Sequence, residues 1–327
     1  MSKKKAADVS EKKVKIPQMD PGCDIAAIDI IERTLPPKLL DLLLKDMTTG
    51  HNIIWGTDNY EIYGNDYKTG CQITRKLIAK KSNKDIIQPR IMKEKCYQKE
   101  RTKTHAEVFT PSWVCNEMNN HCDEEWFGRK DVFNTVNPDH TWTATKEPIF
   151  PAGSNQWREY VRSKRIEITC GEAPYLVSPY DTTTGQIIPV EQRIGMLDRK
   201  LRVINENTNT EDTWWKWVQI AFKSIYGYEY QGDNLLLARE NLLWAFIDNY
   251  ELKFNKKPSK KKQNAIAQII AWNIWQMDGI TCCAPYSSES NDFYQMGLFG
   301  NNPLPCRIID WENNLQILFK ELKKDQQ

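Results

Sequence analysis

Three carboxylates in this sequence stand in or just after short apolar runs, each beside turn-forming residues. Glu167 lies in Arg165-Ile-Glu-Ile-Thr-Cys-Gly-Glu-Ala-Pro-Tyr-Leu176, Glu229 in Ser224-Ile-Tyr-Gly-Tyr-Glu-Tyr230, and Asp278 in Met277-Asp-Gly-Ile-Thr281. An ionised carboxylate accepts several hydrogen bonds, so it suits hydroxyl pairs and amines. An acid after a second strand suits a ribose diol, and one ending a third suits the exocyclic amine of an adenine. Around Glu167 the chain turns through Cys170-Gly171 toward Pro174, where a proline fits the first position of a helix. A strand, a tight turn and a helix N-terminus would cradle a polar ligand with free N–H groups. The same residues also fit an ordinary strand–turn–helix corner. Together the acids suit a nucleoside with a charged amino-acid or phosphate end. A dinucleotide fingerprint does not fit, since the turn has one glycine where three are expected.

These acids need strands to carry them and helices to space them. Ile166-Glu167-Ile168 reads as a short buried strand leading into a helix at Pro174. Ile194, Leu197, Leu201 and Ile204 recur at helical spacing, as do Trp214, Trp217, Val218 and Phe222 after the acidic start Glu211-Asp212. Ser224–Tyr230 reads as a second strand, followed by a helix through Leu235, Ala238, Leu242 and Phe246. Ile266–Trp275 reads as a helix entering a short third strand. Cys306–Asp310 is expected as a last strand and Leu315-Phe319-Leu322 as a last helix. Strands with acids near their C-terminal ends, each followed by a helix, describe an open α/β sheet that binds ligands along that edge.

The N-terminal part is read as helical and mixed. Met1–Lys15 is a basic, apolar-poor tail, expected to be disordered. Asp24–Met47 is helical, divided at Pro36-Pro37, and His51–Tyr67 mixes a short strand with turns. Thr110 precedes Pro111 and must be extended, with a helix starting at Pro111 or Ser112. Phe127–Gln156 is loop-rich, and Pro179–Pro189 is a hairpin or extended insertion around Asp181 and Gly185. The expected organisation is a tail over 1–15, a helical or mixed region over 16–155, and a sheet-bearing core over 156–327.

Composition bounds the reading further. A chain of 327 residues with a formal charge of +2 has room for a sizeable core and carries no overall field. Nine irregularly spaced cysteines without an apolar signal segment suit reduced thiols and a cytoplasmic location. No apolar run approaches the roughly 20 residues of a membrane span. Cys115, His121 and Cys122 lack a second ligand pair for zinc, so no metal is expected. Asp58, Glu61 and Asp66 read as turn residues rather than nuclease acids. Most of the twelve tryptophans should be core or interface.

The Arg165–Leu176 stretch resembles the S-adenosylmethionine signature of adenine-specific DNA methyltransferases, usually written V-L-D-P-A-C-G-S-G-x-F-L. It aligns without gaps, with Glu167 in the Asp place, Cys170-Gly171 retained and Tyr175-Leu176 at the aromatic end. Tyr226–Tyr230 with Asn234, Ala238, Arg239 and Asn241-Leu242 is similar to the family's second signature. Met277–Thr281 resembles its "G-D-A-L-T" element, and Glu107-Val-Phe-Thr-Pro111 resembles the motif that precedes the cofactor signature. The resemblance covers Ala106 to Thr281 in the expected order. It implies a Rossmann-like class I methyltransferase core, incomplete at its C-terminal side. Thr110, Pro111, Glu167, Cys170, Gly171, Glu229 and Asp278 would bind the cofactor. Glu229 would hold the ribose, Asp278 the adenine amine, and Thr110-Pro111 would pack on the methionine part. It also implies DNA as substrate and a modification subunit of a restriction–modification or phage-defence system, with a second protein subunit as partner.

Two departures qualify this. Ala173 stands where the signature has its second glycine, and its methyl is expected to crowd the methionine carboxylate. The Asn/Asp-Pro-Pro-Tyr/Phe motif that positions the target amine and stacks the flipped base is missing. Ala284-Pro-Tyr286, Asn301-Asn-Pro-Leu304 and Asp310-Trp311 are degenerate candidates, with Asp310 and Trp311 the expected catalytic pair at the end of a fourth strand. The alternative is a catalytically inactive relative that senses the cofactor or scaffolds an assembly.

Overall fold

The computed structural model describes residues 35–78, 86–92, 110–287 and 303–322. The basic tail, the helical segment before Pro36, Lys93–Lys103, Glu107-Val-Phe109 and Asn301-Asn302 lie outside the described residues. The longer helices are α1 (Pro37–Leu44), α2 (Ser112–Phe127), α3 (Gln156–Arg162), α4 (Met196–Asn207), α5 (Glu211–Lys223), α6 (Gly232–Phe254) and α7 (Lys260–Asn273). Strands β1 (Asn134–Val136) and β2 (Trp142–Ala144) form an antiparallel hairpin. Strands β3 (Arg165–Glu167), β4 (Ile225–Glu229) and β5 (Ile274–Gln276) form a parallel sheet in that order, so β4 is central. Strands β6 (Arg307–Asp310) and β7 (Leu315–Leu318) form a separate antiparallel pair.

Local chemistry accounts for the helices that frame the sheet. The α5 helix starts where the Thr210 hydroxyl accepts the Thr213 N–H, and it buries Trp214, Trp217, Val218, Ala221 and Phe222 at helical spacing. In α4 the Asp198 carboxylate reaches back to the Gly195 N–H at 3.2 Å, closing the first turn. The α6 helix is buried along most of its length because other elements pack around it. It can begin where it does only because residue 232 is glycine: a Cβ there would stand 2.1 Å from the Ile54 carbonyl oxygen. The α1 helix begins at Pro37, with Pro36 at its N-cap, and buries Leu39, Leu40, Leu43 and Leu44.

The parallel sheet has two differently covered faces. Ile225 and Ile274 join the large apolar cluster built with α4–α7, a cluster that also holds Leu39 to Leu44, Trp55, Phe133 and Phe150. Tyr226, Tyr228, Trp275 and Met277 face the other way and pack on Ile308 and Phe319, contributed by β6 and the helical turn Phe319–Leu322. Two buried side chains tie residues before 60 to the sheet. Gln276 gives and receives hydrogen bonds at the Ile54 backbone, and the Arg239 guanidinium donates to the carbonyls of Leu43, Lys45 and Ile274. Burial lowers the Arg239 pKa to about 10, and its carbonyl partners satisfy its donors.

Three expectations need correction. No helix starts at Pro174; the chain runs through consecutive turns from Gly171 to Leu176. The strand at Glu167 is not buried on both faces, because β3 is an edge strand and leaves Ile166 43% and Ile168 64% exposed. Residues 307–310 form a strand but do not extend the parallel sheet: they pair with residues 315–318, which the periodicity suggested as helix. Mixed helix and parallel sheet describe an α/β fold. Among the described residues no helix is long and apolar enough to cross a membrane.

Candidate functional site

The C-terminal ends of β3, β4 and β5 open onto a cleft of about 930 Å3, within the range of about 300–1,000 Å3 of small-molecule sites. Thr110, Glu167, Cys170, Gly171, Glu229 and Asp278 all line it. Residues more than a hundred positions apart thus converge because the strands run parallel and end on one side. Pro111 is the exception among the sequence-derived residues: it caps the start of α2 beside Thr110 and is not part of the lining.

Each acid is held by backbone N–H groups. The Glu167 carboxylate accepts from Leu176 at 3.1 Å and, more weakly, from Tyr175 at 3.4 Å. That side chain closes the turn after β3 and takes the place of the expected helix. Thr169, Gly171 and Ala173 all adopt positive φ, at 49°, 55° and 63°, a pattern incompatible with a right-handed helix. The turn is pinned from behind by Asn119 of α2, whose amide donates to the carbonyls of Tyr175 and Ile194, both at 3.0 Å. Glu229 ties the turn to the second strand, accepting from Gly171 N at 2.8 Å and Gln231 N at 3.0 Å. Asp278 uses one oxygen, Oδ1, for the N–H groups of Ile280 and Thr281; among the described residues Oδ2 takes no hydrogen bond. Gly279 beside it must be small, since a Cβ would meet the Tyr228 ring at 3.0 Å.

Carboxyl groups outnumber cations among the described residues of the cleft. Burial pushes the Glu167 carboxyl well above the usual carboxylate range, and the nearby charge of Glu229 adds to the shift, against the two backbone hydrogen bonds. Burial likewise raises the Cys170 thiol, helped by Glu167 and Glu229, so Cys170 is a neutral wall and not a thiolate nucleophile. Among the described residues Arg165 is the one cation on the lining, against the carboxylates of Glu167, Glu229 and Asp278.

Sequence reading missed two residues of the lining as site residues. Gln231 and Asn234, at the start of α6, are 7% and 1% exposed, and among the described residues Gln231 Oε1 and Asn234 Oδ1 have no hydrogen-bond partner. A buried amide oxygen without a donor costs about 1–3 kcal/mol, and Gln231 Oε1 lies against Gly56, where a Cβ would meet it at 2.8 Å. Their position two and five residues after Glu229 was the available signal. Ile280 is also part of the lining and stands 94% exposed, an apolar surface two residues from Asp278.

Other expected groups fall elsewhere. Ala173 is fully buried in the main apolar cluster and does not line the cleft, so its methyl does not crowd a ligand there. Asp310 and Trp311 sit at the tip of the β6–β7 hairpin. Trp311 donates to Asn273, whose amide bonds the carbonyls of Phe222 and Ile225, and Glu312 pairs with Lys164 at 3.5 Å. These partners precede β3, β4 and β5, so the pair lies at the N-terminal end of the sheet, opposite the cleft. A hydrogen bond from Asn313, and a second from the Glu312 backbone, hold the Asp310 carboxyl below its usual range. Asp310 and Trp311, the expected catalytic pair, therefore do not reach this cleft. Cys115 is buried beside the Thr110 carbonyl, while His121 pairs with Glu124 and Glu125; among the described residues no group of three metal-ligating side chains occurs.

No family model matches this chain, and neither a curated protein nor a solved structure matches it.

Proposed function

We propose that this chain is the S-adenosylmethionine-binding subunit of a DNA adenine methyltransferase-like modification enzyme with a Rossmann-like core. One observation carries the reading: residues singled out as cofactor contacts in four separate stretches line a single cleft at the C-terminal edge of a parallel sheet. The donor and acceptor chemistry fits the cofactor. Three carboxylates and an apolar Ile280 surface suit a ligand with ammonium and sulfonium charge, ribose hydroxyls and an aromatic base. Glu229 serves the ribose hydroxyls, because a carboxylate accepts at about four sites and backbone and ligand donors can share it. Asp278 Oδ2 accepts from the adenine amine. Glu167 balances the positive charge while fixing the turn. Bound S-adenosylmethionine supplies an electrophilic methyl group.

Asp310 and Trp311, the pair expected to deprotonate and position a target amine, lie away from this cleft. A partner chain supplying that chemistry is the first reading, and the open edge of β3, with Ile166 exposed beside it, leaves room for further strands. A cofactor sensor without catalysis is the second, favoured by the placement of Asp310 and Trp311 at the far end of the sheet. Photocrosslinking of methyl-labelled S-adenosylmethionine to the chain, together with methyl transfer to mixed-sequence duplex DNA, tests both. The expected result is crosslinking at the cleft without transfer by the chain alone. Transfer by the isolated chain would refute the need for a partner, and no crosslinking would refute the cofactor reading.

A further inference from the structure

A second cleft, of about 520 Å3, lies between α3 and α5 and is lined by Arg158, Arg162, Asp212, Thr213, Lys216 and Trp217. None of those residues lines the acidic cleft. Its chemistry is opposite: three cations against one carboxylate. Among the described residues Arg158, Arg162 and Lys216 take no ion pair, although other exposed cations such as Lys130, Lys164 and Lys256 do. Unpaired cations gathered on one wall repel one another, and stacking on tryptophan offsets that repulsion for Arg158 and Arg162.

The arginines are also held in place. Trp157 and Trp217 pack at 4.6 Å between ring centroids; Arg162 lies over the Trp217 ring at 4.6 Å, and Arg158 lies over Trp157 and Trp217 at 5.5 and 5.7 Å. Both rings are buried, so the platform under the guanidinium groups is rigid. A guanidinium stacked on an indole keeps its N–H fork directed outward at little further entropic cost, and that fork matches phosphate oxygens in pairs. Arg158 and Arg162 are one helical turn apart on α3. Lys216 stands two turns before Lys223 on α5, and Lys223 lies over Trp311 at 4.8 Å. The basic line therefore extends about 10 Å along α5 at 1.5 Å per residue. A single phosphate needs one fork; a line of separated cations suits a repeating anion.

We propose that this groove binds the phosphate backbone of a nucleic acid, through Arg158, Arg162 and Lys216. The contact is with phosphodiesters and carries no sequence information, so it positions the chain on the strand and leaves base recognition to other surfaces. The groove is separate from the acidic cleft, so this inference and the cofactor reading fail independently.

The test is fluorescence anisotropy with a labelled mixed-sequence duplex of about 20 base pairs, titrated between about 50 and 200 mM salt. The full chain is compared with the Arg158→Gln/Arg162→Gln/Lys216→Gln variant and with the single Lys216→Glu variant. Each phosphate contact contributes about −0.9 to the slope of log K against log salt, so the triple variant should bind at least tenfold more weakly with a slope shallower by about 2 to 3. Lys216→Glu, at an exposed residue, should give a smaller loss in the same direction, and near-ultraviolet circular dichroism should match the parent for both. An unchanged affinity and slope in folded variants would overturn the proposal. Equal competition by inorganic phosphate would reduce the groove to a small-anion site, and equal competition by polyglutamate at matched charge would make it a surface for acidic proteins; either overturns it.

Discussion

Glu229 and Asp310 look alike in the sequence, each closing a short apolar run, yet they end in opposite surroundings. Glu229 finishes the central strand of the parallel sheet and bonds two backbone N–H groups at the cleft. Asp310 finishes a strand that pairs antiparallel with its own successor and caps a hairpin at the other end of the sheet. The difference teaches that an acid at a strand end acquires a ligand-facing role from the direction and partners of that strand. Parallel pairing gathers strand ends on one edge, whereas a hairpin returns its end to solvent.

The strongest way to break this comparison is to remove both acids in turn. Glu229→Ala removes the acceptor for Gly171 and Gln231 and should cost about 2 kcal/mol of stability in urea denaturation, with cofactor affinity falling more than about tenfold. Asp310→Ala should change stability by less than about 0.5 kcal/mol, as surface substitutions usually do, and leave cofactor affinity unchanged. Equal effects from the two would erase the distinction. Asp278→Asn should have a smaller effect, a loss of about three- to tenfold in affinity measured by calorimetry, because an asparagine oxygen keeps the local turn while the charge is lost.

A pH titration sharpens the role of Glu167. Its carboxyl is raised in the ligand-free protein, so it holds a proton above the pH at which an ordinary glutamate has lost one. A cationic ligand favours the ionised form, so binding should release a proton and affinity should rise with pH through that raised pKa. Calorimetry in buffers of differing ionisation enthalpy reads the release, and Glu167→Gln should abolish both it and the pH dependence. The linked stability has the opposite sign. The folded pKa lies above the unfolded one, so this group's contribution is fully present below the unfolded pKa and is lost as pH rises toward the folded value.

The smallest expected effect is at Ala173. Its φ of 63° favours glycine by about 1 kcal/mol, while its fully buried methyl is worth about 0.8 kcal/mol. Ala173→Gly should therefore shift stability by less than about 0.5 kcal/mol, and cofactor affinity by less than twofold, since the methyl points into the core. A large gain in affinity would restore the idea that this methyl crowds the ligand.

Much of the frame was legible where periodicity speaks of one element at a time. The stripes through Leu197–Ile204 and Trp214–Phe222, and the strand before Glu229, are present as read, while Ile194, read into the first stripe, lies before the helix that starts at Met196. Three features were not legible because they depend on partners. The Glu167 side chain captures the N–H groups of Tyr175 and Leu176, which replaces a helix at Pro174 with turns. The strand at 307–310 pairs with 315–318 and not with the sheet, a choice that side-chain spacing does not encode. Gln231 and Asn234 are buried with oxygens that lack donors among the described residues, a property that exists only once the surroundings are built.

The central claim is that the three acids form one cofactor cleft. Isothermal titration of S-adenosylmethionine into the full chain and into the Glu229→Ala variant tests it most directly. One-site binding by the parent, weakened more than about tenfold in the variant, is the expected result, a difference of at least about 1.4 kcal/mol. No heat of binding at about millimolar ligand, or equal affinity in the two proteins, would contradict it.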